Sequence, residues 1–452
     1  MNRLFSGGGR HFSRAVIYSA TLSFVGINFF TFSHYIKHSY WDNLHTSPAP
    51  SSGQYMQPPE EITNSSKEEK LFYTLKSNQS SSSNGTKKLI IFLPDIVETR
   101  EVFQDLEYQM LHNPQVNDQQ IYSLRYDRFG YGYSNVVKGP RHLHNMSIEL
   151  HTLIEHVLKN NIELNENEKL EISLVGHGFG AMLARMYLYK FSNTFESEFK
   201  NVKIAKNILI SPLHERFIQF SPFYVDYLVD WKSRGFINRL LSFHGFMEWL
   251  FKFNPRFSLK DEVIYPFMET IADDVPTTTW NVKYNGTEGS TDYDDDHLIS
   301  KDEAKKRLEF HMRNDNLWKT VRNETNLFKR SCVQLNDCRK SAEPHYKQQE
   351  QSASAATEQQ QPEEANTTQP INTSNIDVLV VDVDHSRDDE LGRKGVKVFF
   401  DKNSEFSQVD YLNDLVEGYS NKSKVISLNN YNHYSVLNTP ALAQTVINFL
   451  KQ

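Results

Sequence analysis

The sequence predicts an α/β fold with a mostly parallel sheet and helices on both of its faces. Unbroken apolar runs of strand length recur along the chain, such as Leu89 to Leu93 (LIIFL). These runs alternate with segments whose apolar residues have helical spacing, which is typical of a doubly wound sheet. The chain has 452 residues, 38% of them hydrophobic and 13% aromatic, so it is large enough for one full-sized core with insertions.

The amino-terminal residues predict targeting and a membrane anchor. Arg3, Arg10 and Arg14 precede the first acidic residue, which is a transit-peptide composition. Residues 15–33 carry no charge and as a helix would span roughly 28 Å, enough for a bilayer core. The predicted parts are a basic targeting leader at 1–14, a transmembrane anchor at 15–36 and a Pro- and Ser-rich linker at 37–68.

Two compartments compete for this chain. The arginine-rich, acid-free leader favours a mitochondrial membrane. Nine Asn-x-Ser/Thr sequons would instead suit the endoplasmic reticulum or secretory pathway. We therefore expect a single-pass membrane protein, mitochondrial by preference, with the secretory route as the alternative.

The first half of the predicted core spans residues 69–212. The spacing of apolar residues in this part of the chain predicts strands that alternate with helices. The predicted strands are 71–75, 89–93, 121–126, 170–175 and 202–210, and the predicted helices begin near Val102, Ser147 and Phe179.

An interruption separates the two halves of this core. Residues 213–338 are aromatic-rich with helical patterning, and they predict a helical cap insertion over the sheet edge. Residues 339–375 contain almost no large apolar side chain and predict a disordered low-complexity insert. The core resumes at 376–452 with two strands and two helices.

Two motifs follow the predicted strands. The first is DRFGYGYS, which begins at Asp127 and Arg128 and contains Gly130 and Gly132. The second, ISLVGHGFGA, has its outer glycines at Gly176 and Gly180, between a buried strand and a helix. Near the carboxyl end, His433 precedes a helix-starting proline by seven residues.

Together these motifs resemble the α/β-hydrolase superfamily over most of residues 70–452. DRFGYGYS is similar to its Asp-Arg-x-Gly-x-Gly-x-Ser loop, and the second motif is similar to its Gly-x-Ser-x-Gly nucleophile elbow. The resemblance implies an α/β-hydrolase fold and a Ser-His-Asp triad whose histidine is His433.

The nucleophile itself is missing, because Gly178 stands at the serine position of the elbow. Glycine has no oxygen with which to form an acyl-enzyme. It adopts strained backbone conformations easily, so the corner is expected to survive as architecture.

The oxyanion region departs from the family pattern as well. By resemblance it comprises Pro94, Asp95 and the amide of Phe179. Pro94 removes one amide donor, and the Asp95 carboxylate would oppose a developing oxyanion.

The remaining candidates are an acid and a substitute nucleophile. After the strand ending at residue 381, the family acid corresponds to Asp382, Asp384 or Asp388, of which we favour Asp384. Ser134 is expected to be a turn residue. Ser211, at the end of a strand, is the only other hydroxyl candidate for a nucleophile.

Composition excludes several function classes. The net charge of -7 offers no basic field for nucleic acid. Two cysteines form no zinc pattern, and the loop histidines His142 and His144 lack a nearby carboxylate or thiolate, so we expect neither metal nor cofactor.

The sequence thus predicts a membrane-anchored pseudo-hydrolase that binds a lipid or acyl ligand or interacts with a protein partner. The alternative is an active carboxylic-ester or lipid hydrolase with a non-standard nucleophile, or a His/Asp acid-base enzyme.

Overall fold

Eight strands form one sheet in the computed structural model of the chain. The structure describes residues 53–58, 69–78, 85–113, 119–216, 236, 239, 311, 314–342, 373–383, 408–417, 419–428, 431, 433 and 435–452. The strands are β1 (Gly53–Met56), β2 (Leu71–Ser77), β3 (Thr86–Leu93), β4 (Ile121–Tyr126), β5 (Lys169–His177), β6 (Val202–Ile210), β7 (Asp377–Val383) and β8 (Lys424–Leu428).

The strand order is β1-β2-β4-β3-β5-β6-β7-β8. β2 is antiparallel to both of its neighbours, and every pair from β4 to β8 is parallel. A mostly parallel sheet with one antiparallel edge and a crossover at β3–β4 is the sheet of the α/β-hydrolase fold. The predicted α/β-hydrolase fold with a mostly parallel sheet is therefore confirmed, whereas this sheet does not test the predicted cap and membrane anchor.

Helices cover both faces of this sheet. The α-helices whose bounds the structure describes are α1 (Gln104–Leu111), α2 (Leu143–Asn160), α3 (Phe179–Glu198), α4 (Asp315–Ala342), α5 (Gln408–Val416) and α6 (Pro440–Lys451). Alternate residues of β3 belong to two hydrophobic clusters: Leu89 and Ile91 pack with α2, α3 and α4, and Ile90 and Phe92 with α1 and α6. Burial on both sides is the reason that this strand is an unbroken apolar run.

The predicted linker at 37–68 includes an element that periodicity missed. Residues Gly53–Met56 form the edge strand β1, with Met56 fully buried against the core. Gly53 lies against the ring of Phe72, and Tyr55 makes an edge-to-face contact with the same ring. Four residues carry too short a pattern to predict, and their pairing depends on β2.

The last part of the predicted cap at 213–338 belongs to the core layer instead. Helix α4 packs against α2 and α3, with Trp318, Val321 and Leu335 completely buried. It also continues through Ala342, four residues into the predicted disordered insert, because Arg339 is held by the Glu215 and Asp414 carboxylates. Most of residues 217–313 and 343–372 lies outside the described residues.

None of the helices that the structure describes is long and apolar enough to span a bilayer. The leader at 1–14 and the anchor predicted at 15–36 lie outside those residues. Both stay predictions.

Candidate functional site

The strand-to-helix corner lies at the carboxyl edge of the central strand β5. Gly178 joins β5 to α3 with φ +51°, in the left-handed region that glycine tolerates best. A β-carbon on Gly180 would lie 2.0 Å from the Leu93 carbonyl oxygen, so a glycine is required where β3 approaches the helix. The corner retains the backbone of a nucleophile elbow without its side-chain oxygen.

The carboxylate of Asp95 occupies the space above this corner. Its Oδ1 accepts hydrogen bonds from the backbone N–H of Phe179 (2.6 Å) and of Ile96 (2.7 Å). A β-carbon built on Gly178 would lie only 2.3 Å from Asp95 Cγ and from Oδ2. Asp95 thus occupies the position of the missing nucleophile and holds the two amides that would bind an oxyanion.

This geometry corrects one sequence-based expectation. Pro94 was expected to remove a donor from the oxyanion region, yet two amide donors still converge there, from Ile96 and Phe179. The donors remain, but a side chain of the same chain uses them. The turn that carries Asp95 also holds Val97 at φ +75°, a strained conformation for a β-branched residue.

His433 bridges Asp95 and Ser211. Its Nε2 lies 3.0 Å from Asp95 Oδ2, and its Nδ1 lies 2.6 Å from Ser211 Oγ. An ionised Asp95 accepts a hydrogen bond from Nε2–H, which leaves Nδ1 to accept the Ser211 hydroxyl proton. In a serine-hydrolase triad the Nε2 side would face the nucleophile, whereas in this chain it faces a carboxylate.

A buried ion pair holds His433 in place through its backbone. His177 lies under His433, with the two rings stacked at 4.2 Å. Its Nε2–H donates to the His433 carbonyl oxygen (2.7 Å), and its Nδ1 lies 2.8 Å from the Glu98 carboxylate. Glu98 also accepts from the backbone N–H of Asp95 (2.7 Å), so the pair fixes both residues.

Burial and charge shift two pKa values in this cluster. Burial raises the pKa of Asp95, and the charge of His177 and the amide hydrogen bonds offset only part of that shift. Burial lowers the pKa of His177, but the Glu98 carboxylate outweighs burial and the net pKa is raised. His177 therefore carries its proton beyond the ordinary range of histidine.

Arg128 supports the Asp95 turn from beneath. Its Nη2–H donates to the Asp95 carbonyl oxygen (2.8 Å), and the same nitrogen lies 3.4 Å from the Glu324 carboxylate on α4. The hydroxyl of Tyr131 donates to Glu324 as well (2.6 Å). The DRFGYGYS loop thus links α4 to the site.

The rest of this loop is structural. Asp127 accepts the backbone N–H of Arg100 (3.0 Å) and of Tyr133 (3.1 Å). Gly132 has φ +51°, and a β-carbon on it would lie 2.1 Å from Asp127 Oδ2. The Ser134 hydroxyl donates to the Asp127 carbonyl oxygen (2.6 Å), which is a turn contact.

Sequence reasoning selected some of these residues and overlooked others. Gly178, Asp95 and His433 meet at one place, whereas Asp384 lies outside the described residues. His177 and Glu98 were not selected. Their only sequence signals were a histidine inside the elbow and a glutamate three residues after Asp95.

Within the described part of the chain, three groups of residues have metal-ligating atoms within 4.8 Å of one another. They are Asp95, His177 and His433; His151, Glu155 and Glu198; and His214, Glu215 and Asp414. In the first group His177 already uses both ring nitrogens for protein partners. The loop histidine His142 belongs to none of these three groups. Its ring nitrogen Nδ1 accepts a hydrogen bond from the backbone N–H of Asn145 and so caps helix α2.

No family model and no curated protein matches this sequence. The solved structures similar to it include an α/β-hydrolase from a Medee basin deep-sea metagenome library, at 12% identity and TM-score 0.47 over 88% of this chain and 98% of that one. An esterase from Exiguobacterium antarcticum has 12% identity and TM-score 0.43 over 88% and 100%. A bromoperoxidase from Bacillus anthracis has 12% identity and TM-score 0.44 over 89% and 100%. The fold assignment itself rests on the strand order and the corner.

Proposed function

We propose that this chain, which has the α/β-hydrolase fold, has lost serine-hydrolase turnover and acts as a membrane-anchored pseudo-hydrolase. Its retained site then serves to bind a lipid or acyl ligand or a protein partner. The proposal rests on one observation: the Asp95 carboxylate fills the place of the nucleophile at Gly178 and takes both oxyanion amides.

The size of the expected loss in catalytic rate favours an inactive protein. Removing the serine of a Ser-His-Asp triad costs about a million-fold in kcat, and the remaining thousand-fold depends largely on the oxyanion hole. In this chain the donors of that hole already bind a carboxylate. A substrate carbonyl would have to displace Asp95 and would then meet no nucleophile at Gly178.

A fluorophosphonate probe tests this proposal. Such a probe reacts covalently with an activated serine, and we expect none to attach to the full chain at concentrations that label an active serine hydrolase completely. The active enzyme serves as the positive control. Labelling of the wild-type chain at a serine would refute the pseudo-hydrolase proposal.

A second candidate function is favoured by the contact between Ser211 and His433. Ser211 Oγ, the His433 ring and Asp95 form a continuous Ser-His-Asp arrangement with distances of 2.6 and 3.0 Å. Ser211 also has φ +40°, a strained value that serine nucleophiles adopt at sharp turns. An active hydrolase would use Ser211 as its nucleophile.

The surroundings of Ser211 weigh against this second candidate. The next residue is Pro212, which has no N–H to offer an oxyanion. The following amide, Leu213 N–H, already donates to the Gly178 carbonyl oxygen. Ser211 itself is 2% exposed.

The variant Ser211→Ala separates the two candidates. If the wild-type chain is labelled by the fluorophosphonate and Ser211→Ala is not, Ser211 is the nucleophile. If neither is labelled, the pseudo-hydrolase proposal stands. A matched control is Ser134→Ala, because that hydroxyl serves a turn and not the histidine.

The anchor and the compartment complete the proposal. The uncharged segment at 15–33 supports membrane insertion, and the arginine-rich leader supports mitochondrial import. Extraction of cell membranes with alkaline carbonate should leave the full chain in the pellet, and deletion of residues 15–36 should release it. Glycosylation of the sequons would instead identify the secretory route.

A further inference from the structure

The polar groups of the site offer a ligand a hydrogen-bond acceptor, whereas an oxyanion hole offers hydrogen-bond donors. In a serine hydrolase the corner presents N–H donors to a carbonyl oxygen. Here the amides of Ile96 and Phe179 and the Nε2 of His433 all lie at hydrogen-bond distance from Asp95. The backbone at Pro94 and Pro212, which flank the site, supplies no N–H. Among the described residues, what the site retains for a ligand is an acceptor, the second lone pair of Asp95 Oδ2.

Asp95 and His433 carry most of the small solvent exposure of this cluster. The side chains of Asp95 and His433 are 7% and 12% exposed, whereas those of His177 and Glu98 are 0% exposed. A ligand would therefore meet the side chains of Asp95 and His433 before those of His177 and Glu98.

The charges near Asp95 also favour a cation. Four carboxylates, those of Asp95, Glu98, Glu149 and Glu324, belong to one buried network with three cations, Arg128, Arg141 and His177. Counted without His433, this group carries an excess of one negative charge. Like charges repel in a poorly solvated site, so a carboxylate ligand is disfavoured and a cation is attracted.

A bare metal ion suits this site less well than an organic cation. A third ligand would have to be His177, whose two nitrogens already contact Glu98 and the His433 carbonyl. An ammonium group needs only one acceptor from the protein at short range, and it can donate its other hydrogens to water.

We infer that the site binds the primary ammonium group of an aliphatic amphiphile, with Asp95 as the acceptor, and that it discriminates against carboxylates. The inference rests on the proposed ligand-binding function and names the headgroup of the ligand. The apolar part of the ligand is still an acyl or alkyl chain. The preference for ammonium over carboxylate concerns only its polar headgroup.

Isothermal titration of the full chain in nonionic detergent tests this inference, with octylammonium, octanoate and 1-octanol as probes. Octylammonium should bind at least tenfold tighter than octanoate. The isosteric Asp95→Asn removes the charge and should weaken octylammonium binding by about 10- to 100-fold, the range for a hydrogen bond to a charged group. The control Asp337→Asn changes the net charge equally at an exposed position on α4 and should bind like the wild type.

A second measurement needs no variant. Octyltrimethylammonium keeps the charge and the chain but has no N–H, so it should bind the wild-type chain about tenfold more weakly than octylammonium. This comparison holds even if Asp95→Asn fails to fold.

The outcomes separate the inference from the proposed function. Octanoate binding as tightly as octylammonium would overturn the ammonium preference and leave a lipid-binding pseudo-hydrolase. If none of the probes binds, both the preference and the ligand-binding role fail, and only the protein-interaction role remains. Fluorophosphonate labelling addresses inactivity separately.

Discussion

Restoring the serine alone should fail, because Asp95 stands where the new side chain must go. In Gly178→Ser the β-carbon would lie 2.3 Å from Asp95 Cγ, about 1 Å inside the ordinary contact limit of 3.4 Å. The carboxylate must therefore move and give up its hydrogen bonds from Phe179 and Ile96, at about 1–3 kcal/mol for each buried group left unsatisfied. A serine at φ +51° adds about 1–3 kcal/mol of strain.

These terms predict that Gly178→Ser lowers the free energy of unfolding by about 3–9 kcal/mol. Asp95→Ala alone leaves the two amides without their acceptor and should cost about 2–6 kcal/mol. The double variant removes the overlap, so we expect a favourable coupling energy of at least about 1.5 kcal/mol. Urea unfolding followed by tryptophan fluorescence, with the buried Trp318 as one reporter, measures all three.

The double variant should also regain fluorophosphonate labelling, because its serine meets His433 Nε2 and an open pair of amides. Neither single variant should be labelled. Turnover of esters should stay slow, since Ser211 rather than a carboxylate contacts Nδ1, and loss of the triad acid costs about 10⁴-fold. Strict additivity of the two free-energy changes, within about 0.5 kcal/mol, would refute the overlap on which this prediction rests.

Three further predictions concern the supporting structure. Gly130→Ala should destabilise the chain by about 2–4 kcal/mol in urea unfolding, because Gly130 has φ +87° and a β-carbon on it would lie 1.8 Å from Thr320 Oγ1. Gly139→Ala is the matched control and should be near neutral, because a β-carbon on Gly139 would meet no atom within 4 Å. The pKa of His177 is raised in the folded chain, so its stabilising contribution is complete below about pH 6.5 and declines as the pH rises through the folded value. The stability difference between wild type and His177→Gln should therefore shrink with rising pH, and a difference that grows would contradict the Glu98 pairing. Burial lowers the pKa of Lys206 to about 8, so wild-type stability should rise relative to Lys206→Met between about pH 8 and 10.5; a flat difference would show that the amine is solvated.

Much of the fold could be predicted from periodicity. The strand at residues 89–93 was visible as an unbroken apolar run because it is buried on both faces of the sheet, whereas those at 121–126 and 202–210 contain polar residues and were predicted from their place between helices. Two elements were not placed correctly by local pattern. Strand β1 is too short to show a pattern, and helix α4, which was predicted as part of a cap, packs with its inner face in the core. Local pattern does not report which layer an amphipathic helix joins.

The candidate site divides in the same way. The amino-acid sequence by itself shows that position 178 is a glycine and therefore has no side-chain oxygen. It also determines that no acyl-enzyme can form at this corner, because that reaction needs a nucleophilic side chain at the position. Only the tertiary structure decided what fills the vacant place. Asp95 meets the Phe179 amide across 84 residues and the His433 ring across 338, and such contacts arise from the meeting of strand ends at one sheet edge, which no local pattern encodes.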